Sequence, residues 1–160
     1  MRSLVIGAAA GGLGIALLRL AGFPGFGPAE PPAVARIVAA RQAKYKILLR
    51  LDRAIHVALR QSPPDRAAVD SAARAAKQLA LQIPSWFPPG TGPDDGARTY
   101  ARTEIWTDRA GFRARSQALA DVFGRLDQAA QSGNVEAMTA EQSEIGPACK
   151  ACHESYAVQF

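Results

Sequence analysis

Residues that build metal clusters and disulfide frameworks are scarce in this chain. Its 160 residues include two cysteines, two methionines and two histidines. Two cysteines cannot form a disulfide-dense scaffold, and they exclude a zinc or iron–sulfur site held by four cysteines of one chain. A metal centre in this protein would have few side chains to draw on, which makes the position of each one informative.

Clusters of basic residues and nucleic-acid-binding motifs are absent as well. Lys and Arg number 19 against 14 Asp and Glu, for a formal net charge of +5, but the basic residues are scattered along the sequence. The positive excess indicates an ordinary solvated surface, and we expect no nucleic-acid partner. With 48% hydrophobic and 21% charged residues, the chain has the composition and the length of one globular domain.

The amino terminus has the pattern of an export signal. Arg2 precedes an uncharged apolar run over residues 4–18, and Arg19 ends that run. A membrane-spanning helix needs about 20 apolar residues, whereas the apolar core of a signal peptide needs about 7–15. We therefore expect residues 1–22 to be a cleaved signal peptide or, alternatively, a retained membrane anchor. Both alternatives place the rest of the chain outside the cytoplasm, after a linker rich in Gly and Pro at residues 23–32.

The remaining residues, 33–160, show the periodicity of helices. Apolar side chains recur at helical spacing from Val34 to Leu59 with no Gly or Pro between them. Three further helices are expected, each preceded by a residue whose side chain can cap the backbone: Asp65, then Thr107 or Asp108, and finally Asn134. No stretch alternates polar and apolar residues as a strand would. The sequence predicts an all-α protein, an antiparallel four-helix bundle.

A long connection, residues 84–107, joins the second and third predicted helices. It contains four prolines and three glycines. Connections of this length are uncommon in a compact domain and are often functional. We expect its large aromatic side chains, Trp86, Phe87 and Trp106, to cover the core.

Both cysteines lie near the C-terminus, in the sequence Cys149-Lys150-Ala151-Cys152-His153. Cys-x-x-Cys-His is the attachment signature of c-type haem. Residues three apart share a helix face, so both thiols can form thioether bonds with one porphyrin edge. The adjacent His153 can then ligate the iron. The sequence thus predicts one covalent haem c per chain.

Two other roles for the cysteine pair agree less well with its surroundings. A redox-active Cys-x-x-Cys pair is expected at the start of a helix that follows a strand, where the helix dipole lowers a thiol pKa. This pair instead lies late in a helical protein. A zinc site would need a fourth ligand, and His56 is the only other histidine.

The second axial position of the iron has no obvious protein ligand. Met1 lies in the export segment, and Met138 precedes His153 on the same helix by about 22 Å along its axis. His56 or a lysine remains. In an antiparallel bundle, however, the end of the fourth helix meets the start of the first, which brings Tyr45 closer than His56. The sequence favours iron with His153 as its one protein ligand, able to bind a small neutral gas molecule.

Four pieces of the sequence carry a family resemblance. They are Arg41-Gln42 in the first helix, WFPPG at 86–90, EIWTD at 104–108 and CKACHESY at 149–156. In this order and spacing they resemble the cytochrome c′ family, the class II c-type cytochromes of bacterial periplasms. The resemblance implies a four-helix bundle with haem near one end and high-spin, five-coordinate iron that binds NO and CO. It also implies a homodimer packed through the first two helices.

The resemblance further assigns roles to three residues of the first helix. Arg41 and Gln42 match the pair that contacts the haem propionates, since a guanidinium can pair with a carboxylate in bidentate fashion. Tyr45 matches the bulky position over the distal haem face, where the family commonly has Leu, Met or Phe. Its hydroxyl either donates a hydrogen bond to a bound ligand or only fills space; ligation as a phenolate is a third alternative.

Two other residues depart from the family pattern. Ala157 stands four residues after His153, where many relatives have a basic residue beside the proximal imidazole. Pro147 lies within the fourth predicted helix and is expected to kink it, because proline removes a helical hydrogen bond.

We therefore expect a periplasmic haem protein, not an enzyme, that binds NO and CO and transfers electrons to a redox partner that the sequence leaves open. The alternative is a six-coordinate electron-transfer cytochrome of the same class with no gas-binding role, which would need a Met or His where Tyr45 stands. A peroxidase would need a distal acid–base histidine, and His56 is misplaced for that. Membrane contact is expected only if the amino-terminal segment is retained.

Overall fold

The computed structural model describes residues 32–158 of the chain. The predicted export segment at residues 1–22 lies outside this range, as do residues 23–31 of the predicted linker. Between residues 32 and 158, no helix combines the length and the apolar character needed to cross a bilayer.

Four long helices and one short helix make up the fold. Their bounds are α1 Pro32–Leu59, α2 Arg66–Gln82, α3 Glu104–Thr107, α4 Arg109–Ser132 and α5 Val135–Tyr156. The long helices α1, α2, α4 and α5 form the bundle, so the predicted all-α architecture is confirmed. Within the described range the only β-type pairing is a single antiparallel bridge between Ala101 and Ala157.

Side-chain caps begin three of the long helices, as the sequence predicts. In each, an oxygen of the cap accepts a hydrogen bond from the amide three residues later, at 2.9–3.0 Å: Asp65 for α2, Asp108 for α4 and Asn134 for α5. These amides have no acceptor inside their own helix, so each cap removes an unsatisfied donor. Of the two predicted caps for α4, Asp108 is the one that caps it.

Small residues allow α2 to lie against α4. Four alanines, Ala72, Ala73, Ala76 and Ala80, form most of the buried face of α2. The hydroxyl of Ser116 on α4 donates a 2.6 Å hydrogen bond to the carbonyl oxygen of Ala80. The largest fully buried side chains of the core are Val69, Ile55, Phe112, Phe123, Leu126 and Met138.

The long connection has more local structure than the sequence indicates. It contains the 3₁₀ turns Ile83–Trp86 and Pro93–Asp95 as well as helix α3. Trp86 and Phe87 are buried and Trp106 is half-buried, in agreement with their expected role as covers of the core.

Helix α5 begins with an exposed apolar residue and continues past its proline. Val135, its first residue, is 42% exposed. Pro147 lies inside α5, and the helix continues past it to Tyr156.

The helices do not pack with equal closeness around the bundle. Going around the bundle, α1 packs closely on α2, α2 on α4 and α4 on α5, whereas α5 and α1 make much less contact with each other. The gap between α1 and α5 leaves room for a cavity that opens to the surface.

Candidate functional site

A cavity of about 970 Å³ lies between α1, α5 and the long connection. All six residues that the sequence singles out line it: Arg41, Gln42 and Tyr45 from α1, and Cys149, Cys152 and His153 from α5. A second cavity of about 360 Å³ shares Tyr45, both cysteines and His153, and extends among core side chains such as Leu119 and Phe123. The fold therefore brings residues more than 100 positions apart to one place.

The two cysteines occupy the same face of α5, one helical turn apart. Both are free thiols, half-buried at the cavity. Burial raises the pKa of the Cys152 thiol to about 11 and also raises the pKa of Cys149. Reactive cysteines of redox enzymes have lowered pKa values, so these protonated thiols are unlike a redox-active pair. Their shared face matches what two thioether bonds to one porphyrin edge require.

Tyr45 reaches the cavity from α1, between aromatic side chains of the long connection. Its ring meets Trp86 edge-on, with the centroids 5.2 Å apart, and Phe87 at 6.4 Å. Burial raises the pKa of the Tyr45 phenol well above its usual value. The phenol is therefore protonated at neutral pH.

Arg41 is a buried cation beside the cavity, with 3% of its surface exposed. Its guanidinium donates hydrogen bonds to the carbonyl oxygen of Thr91 at 3.2 Å and to Oγ1 of Thr99 at 2.7 Å. The guanidinium carbon also lies 4.7 Å from the ring centroid of Phe87. Gln42, the next residue, is exposed and lines the same cavity.

Other side-chain donors hold the long connection in place over the cavity. Trp106 Nε1 donates to the carbonyl oxygen of Pro88 at 2.9 Å. Arg109 donates to the carbonyl oxygens of Phe87 and Pro84 at 3.2 and 3.0 Å. These bonds satisfy backbone acceptors that have no helical partner, and they fix the cover of the cavity.

Of the other potential axial ligands, Lys46 lines both cavities beside Tyr45, whereas His56 and Met138 lie elsewhere. His56 is exposed in the last turn of α1, and Met138 is fully buried in the core. Neither residue lines either of these two cavities. Within residues 32–158, no three His, Cys, Asp or Glu side chains come together in a way that could hold a metal ion.

Several lining residues escaped sequence reasoning. Phe112 and Ile105 provide apolar walls, and Tyr156 and Thr99 bring hydroxyl groups. Tyr156 falls within the CKACHESY motif and Ile105 within EIWTD, so the motifs contain a signal for both. Thr99 lies in a stretch with no distinctive pattern, and its place depends on how the connection folds.

The residues present fit a covalently attached haem. The cavity is large and mainly apolar, as cofactor sites are. Two neutral thiols share one helix face, an imidazole follows directly, and the guanidinium of Arg41 offers positive charge at the wall of the cavity. These are the groups needed for two thioether bonds, an iron ligand and the neutralisation of a carboxylate.

A family model and two sequence relatives of this chain share one description. A family model described as Cytochrome C′ matches residues 36–157. Cytochrome c′ of Alcaligenes xylosoxydans xylosoxydans is 35% identical over 96 residues, which are 60% of this chain and 72% of that protein. Cytochrome c′ of Cereibacter sphaeroides is 31% identical over 125 residues, 77% of this chain and 83% of the relative.

Solved structures agree with the sequence relatives. The crystal structure of cytochrome c′ from Rubrivivax gelatinosus superposes with a TM-score of 0.66 at 26% identity, covering 78% of this chain and 96% of that one. A nitric oxide complex of a variant of cytochrome c′ from Alcaligenes xylosoxidans gives a TM-score of 0.69 at 30% identity, covering 82% of this chain and all of the other.

Proposed function

The chain belongs to the cytochrome c′ family and carries covalently bound haem c, and from this premise we propose that it binds NO and CO at five-coordinate iron and exchanges electrons. His153 is the one protein ligand in this proposal, and Tyr45 covers the open iron face. The protein acts as a binder and carrier and is not an enzyme. When bound, the haem supplies an iron atom that takes up an electron or a diatomic ligand.

The observation that carries the proposal is that neither Met nor His is among the side chains that α1 contributes to the two cavities. Tyr45 shares both cavities with Cys149, Cys152 and His153. Met and His are the usual strong second ligands of c-type haem, and neither stands at this position. His56, the other histidine, is exposed 11 residues further along α1, about 16 Å away along the helix axis.

Each remaining site residue has a distinct task in the proposal. The Cys149 and Cys152 side chains form the covalent attachment, and the His153 imidazole nitrogen holds the iron. Arg41 and Gln42 face the propionates, where the guanidinium offsets negative charge. Tyr45 would limit the space for a ligand and keep water out, and its protonated hydroxyl would offer a hydrogen-bond donor on that side of the cavity.

Support for gas binding also comes from relatives. Nitric oxide complexes of two variants of the Alcaligenes xylosoxidans protein have been solved, and both superpose on this chain. We extend NO binding to this chain because it belongs to the same family and because Tyr45, which is neither Met nor His, lines the cavity together with His153. The proposal includes CO on the same grounds.

Location and assembly complete the proposal. The protein works in the periplasm, exported by residues 1–22 as a cleaved signal or held by them as an anchor, with a linker at 23–32 and the haem domain at 33–160. Dimerisation would use the first two helices. On the exposed side of α1, alanines and apolar residues recur at spacings of three, four and seven: Ala40, Ala43, Ile47, Ala54 and Val57. The redox partner is a protein that approaches the open side of the cavity.

A substitution at Tyr45 tests the coordination directly. Tyr45→Met places a thioether where the alternative function, a six-coordinate electron carrier, needs its second ligand. We expect the wild type to show high-spin absorption that changes on addition of NO or CO. Tyr45→Met should become low-spin and lose its response to CO.

Tyr45→Phe is the matched control, because it keeps the ring and supplies no ligand. It should stay high-spin and bind both gases. A low-spin wild type whose spectrum CO leaves unchanged would contradict the proposal and favour the alternative. In that event the spectra of Lys46→Ala and His56→Ala would show which of the two side chains is the second ligand.

A further inference from the structure

The last turn of α5 is fastened to the start of α4 by one side-chain hydrogen bond. The hydroxyl of Tyr156 donates to Oδ2 of Asp108 at 2.6 Å, across 48 positions of sequence. The other carboxylate oxygen of Asp108, Oδ1, accepts from the amide of Gly111 and caps α4. One carboxylate therefore joins the two helices.

Main-chain hydrogen bonds hold the same turn from the other side. The amide of Arg102 donates to the carbonyl oxygen of Tyr156 at 3.0 Å, and the amide of Val158 donates to the carbonyl oxygen of Tyr100 at 2.8 Å. The bridge between Ala101 and Ala157 lies between these two bonds. The end of α5 is thus fixed by the connection on one side and by α4 on the other.

Gly111 leaves the space that this hydrogen bond occupies. A Cβ atom at this position would lie 2.5 Å from the Tyr156 hydroxyl oxygen and would overlap Oδ2 of Asp108. Glycine in the first turn of a helix costs stability relative to alanine. Its presence here is explained by the close approach of the Tyr156 and Asp108 side chains.

Protonation and packing keep the Tyr156 phenol as the hydrogen-bond donor and the Asp108 carboxylate as the acceptor. The Tyr156 hydroxyl, followed by the Gly111 amide, lowers the pKa of Asp108. Burial, followed by the bond to Asp108, raises the pKa of Tyr156 to about 12. The ring of Tyr156 is buried and lies edge-on to Phe112, with the centroids 5.2 Å apart. At neutral pH the phenol is the donor and the carboxylate the acceptor.

His153 itself lacks a comparable support. Among residues 32–158 its imidazole has no hydrogen-bond partner, although a histidine that ligates a metal almost always donates its second ring N–H to a neighbouring acceptor. His153 precedes Tyr156 by one helical turn, and its carbonyl oxygen accepts from the amide of Ala157 at 3.0 Å. The position from which the imidazole projects therefore depends on the backbone of this last turn.

We propose that Asp108 is a positioning residue for the iron ligand: acting through the Tyr156 hydroxyl, it fixes the turn of α5 from which His153 projects. This inference rests on the proposed function, in which His153 ligates the iron. Asp108 itself touches neither the iron nor a bound gas. Loss of the hydrogen bond lets the turn adopt a range of positions. The length and orientation of the iron–histidine bond would then vary from molecule to molecule.

The test uses the haem-loaded protein and four variants. Tyr156→Phe removes the donor and keeps the ring. Asp108→Ser keeps a side chain that caps α4 but is too short to reach Tyr156. Asp108→Asn is the conservative variant, because its amide oxygen can accept from Gly111 while its NH2 group, in place of Oδ2, donates to the Tyr156 oxygen. The double variant with Tyr156→Phe and Asp108→Ser measures whether the two side chains act as one unit.

Two readouts separate positioning from simple loss of stability. Resonance Raman spectra of the ferrous protein give the frequency and width of the iron–histidine stretching band. Hydrogen exchange measures how fast the backbone amides of residues 153–157 exchange, compared with a core amide such as that of Phe123. We expect a shifted and broadened band in Tyr156→Phe and Asp108→Ser, with exchange of 153–157 faster by about tenfold and the core unchanged.

The other two variants complete the expected pattern. Asp108→Asn should retain the wild-type band, and the double variant should show no larger change than either single variant. A band in Tyr156→Phe that matches the wild type would overturn the positioning role. A wild type with no iron–histidine band would instead overturn the proposed function, so the two failures are distinguishable.

Discussion

The guanidinium of Arg41 on α1 donates a 2.7 Å hydrogen bond to Oγ1 of Thr99, which lies 58 residues later in the long connection. The same group donates to the carbonyl oxygen of Thr91, a residue that is 2% exposed. Arg41 therefore joins the first helix to the cover of the haem cavity. This contact is additional to the role toward the propionates that the family resemblance implies.

Replacement of Arg41 should destabilise the fold as well as the cofactor site. Arg41→Ala leaves the Thr91 carbonyl group buried without its donors, and we expect the free energy of unfolding to fall by about 2 kcal/mol. Arg41→Lys should cost less, because the ammonium keeps the charge but cannot reach both threonines. Urea unfolding followed by circular dichroism measures both effects.

Arg36→Ala is the control for that series, because Arg36 is an exposed residue of the same helix. It should leave stability nearly unchanged. Equal stability of the Arg36 and Arg41 alanine variants would show that the contacts with Thr91 and Thr99 contribute nothing measurable.

The lack of space for a Cβ atom at Gly111 predicts that alanine substitutions at two glycines of α4 differ in their effect on stability. Gly111→Ala should lower the free energy of unfolding by about 1–3 kcal/mol, because the new methyl group overlaps the Tyr156–Asp108 pair. Gly124→Ala is the matched control: its Cβ would meet the far end of the flexible Lys77 side chain at 3.2 Å, which can move away. Thermal unfolding of the two variants should therefore differ, and similar melting temperatures would refute the packing argument.

The same pair predicts a pH dependence. The pKa of Asp108 is lowered in the fold, chiefly by the Tyr156 hydroxyl. The resulting stabilisation is complete above the unfolded-state pKa of about 4 and is lost as the pH falls through the lower folded-state value. Below about pH 4, the stability of the wild type should fall more steeply than that of Tyr156→Phe, so that the two curves converge. Parallel curves from pH 7 to pH 2 would contradict this.

The attachment of haem predicts a stepwise loss of covalent bonds. Replacement of both Cys149 and Cys152 by alanine should allow all haem to be extracted by acidified organic solvent, because no thioether bond remains. Each single variant should keep haem on the chain through one bond. Lys150→Ala, an exposed residue between the two cysteines, should keep haem fully attached. Haem staining of denaturing gels measures all four proteins, and haem retention by the double variant would exclude attachment at this motif.

The helices and the haem motif could be predicted from the sequence because both are local patterns. Asp65, Asp108 and Asn134 precede apolar periodicity by a few residues, and each caps its helix as predicted. The spacing of Cys149, Cys152 and His153 is itself the signature of their chemistry.

The contacts between distant segments could not be predicted in the same way. The pairing of Tyr156 with Asp108 spans 48 residues and that of Arg41 with Thr99 spans 58. Both depend on the path of the long connection, whose turns follow from buried hydrogen bonds rather than from periodicity. Gly111 gave no signal either, because the need for glycine arises only once two side chains meet above it.

The most direct test of the central claim, that His153 is the only protein ligand of the iron, is the electron paramagnetic resonance spectrum of the ferric protein. The account predicts a high-spin signal at neutral pH, together with a ferrous absorption spectrum that changes on addition of CO. A low-spin signal, with a ferrous spectrum that CO leaves unchanged, would contradict it, because a second side chain would then hold the iron where Tyr45 is proposed to leave it open.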